Sequence, residues 1–168
     1  MAWGVAFGYF ALYCVSLTWF SRPSNNLLYE AAVELEGFME THNGVYAMGD
    51  RSGTVGYLTD RPVVQLEGLM MDKQYLENIR QRRPLNEVLR NYGVRFYIAT
   101  HAAKDRQGCW VVKEPMQAGA DSPSMRGRIC QEPVAVFAHG DFVNDVFDLG
   151  SQGKSLLPPQ IALSGESM

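Results

Sequence analysis

The stretch Gly49-Asp50-Arg51-Ser52-Gly53-Thr54-Val55-Gly56 is where residue types and spacing come nearest to chemistry. It joins an apolar run read as a strand to a segment read as a helix. Backbone amides at a helix N-terminus carry partial positive charge, so with Arg51 they would hold a phosphate or a carboxylate. The glycines, however, stand at positions 49, 53 and 56, which is neither GxGxxG nor the Walker pattern with its Lys-Ser/Thr. The plainer expectation is a tight turn in which Asp50 or Ser52 caps the helix. Asp60-Arg61 reads as a local ion pair or a brace between loop and helix, worth about 0–1 kcal/mol if exposed. Arg80, Arg82, Arg83 and Arg90 spread a basic stretch over two expected helices. Such a stretch suits lipid phosphates or a lipid-linked pyrophosphate, but is more often a solvated face.

Other chemistries lack their residues. His42, His101 and His139 have no carboxylate or cysteine at metal spacing, so neither a zinc nor an iron site is expected. There is no GxSxG, HExxH or paired-carboxylate signature to name a hydrolase, and no cofactor is expected. Cys109 and Cys130 flank a long Pro-, Gly- and Ser-rich segment. In an oxidising compartment they would close it as a disulfide; in a reducing one they would be two unrelated buried thiols. Fifteen Lys and Arg against eighteen Asp and Glu give a net charge of −3, which argues against a nucleic-acid binder.

These residues need a scaffold, and 168 residues with 46% hydrophobic content can build one domain. Leu28, Ala31, Leu35, Phe38 and Met39 recur at helical spacing opposite Glu30, Glu34, Glu36 and Glu40, and Asn43-Gly44 ends the helix. Arg22 to Asn26 reads as a linker with Ser24 or Asn25 as cap. Val45–Met48, Val63–Leu66 and Val94–Ala99 are expected strands. Between them fall a short helix from Ser52 to Leu58, a helix capped by Asp72, and another from Leu85 to Asn91 that Gly93 stops. Strands alternating with helices predict a Rossmann-like α/β layered domain with a mainly parallel sheet. Cys109–Val112 is a further strand, and Pro133–Ala138 with Phe142–Leu149 predicts an antiparallel hairpin turned at His139-Gly140-Asp141. Glu114 to Arg128 reads as a long loop, Tyr57 as core, and residues 151–168 as a poorly ordered tail.

Every charged residue lies at or after Arg22, and Ala2 to Phe20 runs nineteen residues without one. As a helix it would reach about 28 Å, close to the hydrocarbon thickness of a bilayer, with Trp3 and Trp19 near its ends. Gly4 and Gly8 form a GxxxG. A signal peptide would need a basic start and a small-residue cleavage site, and a lipoprotein a small residue before Cys14 instead of Tyr13. A transmembrane helix over 1–21, ahead of a domain over 22–150, is therefore the expectation, with a buried core helix as the alternative.

From Val45 to Ala99 the sequence GVYAMGDRSGTVGYLTDRPVVQLEGLMMD, then YLENI and YGVRFYIA, resembles the C-terminal domain of GT-C-type glycosyltransferases. These are the relatives of protein mannosyltransferases and aminoarabinose transferases that use polyprenyl-phosphate-linked sugars. The matching positions are Gly49, Asp50, Gly53, Gly56, Tyr57, Arg61, Val64, Leu66, Gly68 and Leu69; Glu67 stands where Asp is commoner. The resemblance implies an extracytoplasmic domain behind a last membrane helix, in a bacterial inner membrane and facing the periplasm or exterior. It makes Asp50, Arg51, Ser52, Gly53 and Arg61 candidate substrate-proximal positions. Nothing aligns with the family's catalytic carboxylate loop, so the chain alone is expected to be non-catalytic. Its partners would be the membrane, a lipid-linked sugar or the rest of a multi-span transferase.

Overall fold

A computed structural model describes residues 2–20, 23–68, 71–116, 119, 121–140 and 142–150; the side chains at 2–7, 19–20, 23–26 and 28 lie outside that description. So do the expected tail over 151–168 and Asp141 of the hairpin turn. The elements run α1 (Ala2–Phe20), α2 (Pro23–Thr41), β1 (Val45–Met48), α3 (Ser52–Thr59), β2 (Val63–Gln65), α4 (Lys73–Arg80), α5 (Leu85–Asn91) and β3 (Val94–Ala99). Then follow β4 (Ala103–Lys104), β5 (Trp110–Glu114), β6 (Met125–Ile129), β7 (Ala135–His139) and β8 (Phe142–Asp148).

The main sheet has the order β2-β1-β3-β8-β7. β1 pairs parallel with β2 and β3, while β8 pairs antiparallel with both β3 and β7. Mixed α/β architecture, a largely parallel arrangement around β1 and the terminal hairpin are thus as the alternation of elements predicts. The period-2 alternation of the strands sorts their side chains to two faces. Tyr46, Met48, Phe96, Ile98 and Val146 face one side, packed on Ala32, Leu35 and Met39 of α2 and Val55 of α3. Ala47, Tyr97, Ala99 and Phe147 face the other, against Tyr75 and Ile79 of α4, Leu85, Val88 and Leu89 of α5, and the inner residues of a second sheet.

Local chemistry sets several boundaries. The Asp72 carboxylate accepts the Tyr75 N–H at 2.7 Å and starts α4, and this bond first, then that from the Tyr92 hydroxyl, hold its carboxyl below the usual range. Gly93 ends α5 with φ +67°, a conformation a side chain would strain.

The expected linker over 22–26 differs from what is seen. Pro23 to Asn26 belong to α2, because proline fits a first helical turn, where its missing N–H has no intrahelical partner; Arg22 is outside the described residues. The expected loop from Glu114 to Arg128 is also corrected. It begins with the end of β5 and ends in β6, and β4-β5-β6 make a second, antiparallel sheet. Met125, Gly127 and Ile129 point inward, with Arg126 and Arg128 between them outward. Tyr57 is 87% exposed and not core.

Helix α1 contributes no described side chain to either core cluster. Tyr9, Phe10, Leu12, Tyr13 and Val15 are each at least 60% exposed. A helix buried in the domain's own core is therefore excluded for these residues. Among the described residues no helix is long and apolar enough to cross a membrane; both flanks of the expected span fall on side chains outside them.

Candidate functional site

In the order β2-β1-β3 the chain leaves β1 through α3 on one face and returns from β2 to β3 through α4 and α5 on the other. Connections diverging from adjacent strands leave a crevice at their carboxyl ends, the usual ligand position in open α/β sheets. Here that end carries Gly49 to Ser52 after β1, Glu67 after β2 and Thr100 after β3.

The turn after β1 keeps neither of its expected caps. Arg51 occupies the N-cap of α3 with φ +68°, and its side chain makes no capping hydrogen bond. Ser52 is fully buried and its Oγ has no hydrogen-bond partner among the described residues, while Asp50 turns to Arg51, 3.5 Å away. The Arg51 guanidinium lies over the Phe142 ring at 4.5 Å. The anion such a turn invites is supplied from within the chain: the Arg51 backbone N–H donates to Glu67 Oε1 at 3.0 Å. Gly53 is exposed, with open space where a Cβ would stand, so its lack of a side chain serves no close approach.

The crevice itself is filled by Glu114 at the end of β5. Its carboxyl is 2% exposed, and the Tyr97 hydroxyl donates to Oε1 at 2.9 Å while Oε2 has no partner among the described residues. A Cβ at position 49 would collide with this carboxyl, so glycine is what lets β5 close on the end of β1. Burial first, then the nearby Asp50 and Glu67 carboxylates, push Glu114 up to about 7; the Tyr97 bond opposes the rise. In return, burial and then Glu114 drive the Tyr97 hydroxyl well above its ordinary value. A carboxyl this buried can hold or release a proton near neutrality, but no substrate reaches it in this arrangement. Asn144, 1% exposed with neither amide atom paired among the described residues, lies on the α2 side beside Arg51 and Phe142. The cavity there is about 10 Å³, too small for an organic ligand.

Of the sequence candidates, Asp50, Arg51, Ser52 and Gly53 come together at this edge and Arg61 does not. Arg61 sits before β2, at the opposite, amino end of the parallel strands, where its Nη1 donates to Asn43 Oδ1 at 3.2 Å. It makes no ion pair with Asp60, which instead ends α3 at φ +46°. Glu114, Tyr97 and Asn144 went unmarked as site residues. For Glu114 the signal was parity, since Val112 two residues earlier fixes that strand face as inward.

Cys109 and Cys130 are joined as a disulfide that ties the start of β5 to the end of β6, and Cys14 is free and exposed. Among the described residues no group of His, Cys, Asp or Glu is arranged to hold a metal ion. Compared with protein families, characterised proteins and solved structures, the chain matches none.

Proposed function

We propose that this chain is a membrane-anchored, extracytoplasmic α/β module that acts as the accessory cap of a glycosyltransferase using lipid-linked sugars, and is not itself catalytic. The observation that carries the reading is α1. Its middle turns present Tyr9, Phe10, Leu12, Tyr13 and Val15 outward with no charge among them, a surface that water disfavours and lipid accepts. The disulfide supports an oxidising side of the membrane for the domain. The crevice where a Rossmann-like enzyme would bind its ligand is filled by Glu114, and the Arg51 amide is taken by Glu67, which supports a scaffold over an active site. Lipid-linked sugar as the substrate of the whole rests on the Val45–Ala99 resemblance alone.

The source DNA upstream of Met1 tests the transferase part. An in-frame continuation encoding further apolar spans and an early loop bearing Asp or Glu supports it. An in-frame stop would remove it and leave a single-span binding module. For that second reading the favouring observation is Gly8, whose helix face is open to a second helix.

A further inference from the structure

Among the described residues the two sheets end in four edge strands, and three of these are guarded against further pairing. β2 spans three residues and lies against α3. β4 has two residues and ends in Lys104. β6 is longer, but Arg126 and Arg128 point outward from it, and the Asn86 side chain of α5 bonds both the N–H and the C=O of Arg128. Short length, outward charge and a cover are the devices that keep strand edges apart.

β7 carries none of them. It is five residues long, and no Asp, Glu, Lys or Arg occurs from Pro133 to Gly140. Val134 and Val136 are 54% and 53% exposed, and Ala138 is exposed beside them. Among the described residues no strand pairs with the outer side of β7. Its inner side is held in place by β8, and Ala135 and Phe137 pack into the core beneath α2. His139 and Phe142 flank a two-residue turn and bond each other, so by alternation Val136 and Ala138 aim their N–H and C=O groups away from β8.

An uncharged edge selects an uncharged strand of similar length, and β7 is itself one. Antiparallel pairing of two β7 strands about a two-fold axis at Val136 sets Val136 opposite Val136 and Val134 opposite Ala138, all apolar. Charge favours this direction. Glu30 and Glu34 stand at the His139 end of the strand, 3.6 and 3.0 Å from its ring nitrogens. In the antiparallel pair the two His139 ends lie about 20 Å apart along the strands, beyond the screening length of about 10 Å. A parallel pair would crowd all four glutamates together.

We infer that β7 is the interface through which two copies of this chain join their five-stranded sheets edge to edge. The inference goes beyond the proposed function and uses a surface separate from α1.

Sedimentation equilibrium of the full chain in a nonionic detergent tests it. The expected result is a dimer that persists in Gly8→Leu, which separates β7 from α1 as the cause. Val136→Lys puts two like charges face to face and should weaken association by about tenfold or more, while Val136→Thr should keep it, with circular dichroism checking both folds. In Cys14→Ser/Val136→Cys mild oxidation should cross-link the two copies, and in Cys14→Ser/Leu76→Cys, on α4, it should not. A dimer lost in Gly8→Leu, or kept at full strength in Val136→Lys, overturns the inference. A monomeric full chain overturns it too, and if a chain ending at Gly150 then dimerises, the edge belongs to residues 151–168.

Discussion

Helices α1 and α2 are each nineteen residues long and follow one another in the chain, yet among the described side chains only those of α2 are covered by the domain's core. Helix α2 alternates its chemistry. Ala31, Ala32, Leu35 and Met39 are 2% exposed or less against the sheet, and its glutamates face outward, Glu34 to within 3.0 Å of His139 on β7. Helix α1 carries no charge on any face, and its described apolar side chains reach no core. Apolar content states that a helix must be covered. Only the arrangement of its polar residues states whether the same chain supplies the cover.

The comparison breaks most visibly if α1 is removed. A chain starting at Pro23 is expected to leave the membrane pellet entirely while keeping the circular dichroism and melting temperature of its domain. A large loss of melting temperature would mean that α1 belongs to the fold. Next in size is a paired truncation. Leu35→Ala should cost about 2–5 kcal/mol in denaturant unfolding of the detergent-solubilised chain, since Leu35 is fully buried. Leu12→Ala, 69% exposed in α1, should stay within about 0.5 kcal/mol. Equal costs would erase the distinction.

Two further predictions concern the domain that α2 belongs to. Replacing Cys109 and Cys130 by serine opens a link across a sequence separation of 21 and should cost about 3 kcal/mol, read from the shift in urea midpoint. No shift under non-reducing conditions would show that the bond does not form. Glu114 gives a pH dependence of known sign. Its folded value is raised from 4.5 to about 7, so its proton favours the folded state. That stability is full below about 4.5, declines as pH rises toward about 7 and levels off above, on the order of 3 kcal/mol over the whole window. Glu114→Gln should flatten this decline, and an unchanged profile would assign it to other groups.

Much of the first two-thirds of the fold was legible because its signals are local. The Asp72 cap, the Gly93 stop and the 3.6-residue spacing of Ala31, Leu35 and Met39 each act within one turn of helix. The second sheet was not, because β6 hides its alternation: Arg126 and Arg128 at the outward positions and Gly127 at an inward one read together as a polar loop. The candidate site shows the same division. Asp50 to Ser52 could be placed at a strand end from the turn itself. Which end of the sheet Arg61 occupies depends on where its own strand begins, and that Glu114 fills the crevice depends on a strand 65 residues after Gly49, a pairing no local pattern encodes.

Cys14 gives the most direct measurement of the central claim. It is exposed in the middle of α1, and the other two cysteines are bonded to each other, so a thiol reagent reads this helix alone. Membranes carrying the chain are treated with a water-soluble maleimide before and after unfolding in sodium dodecyl sulfate. The account predicts no labelling of intact membranes and full labelling once unfolded. Rapid labelling in intact membranes would place Cys14 in water and contradict the anchoring of this domain by α1.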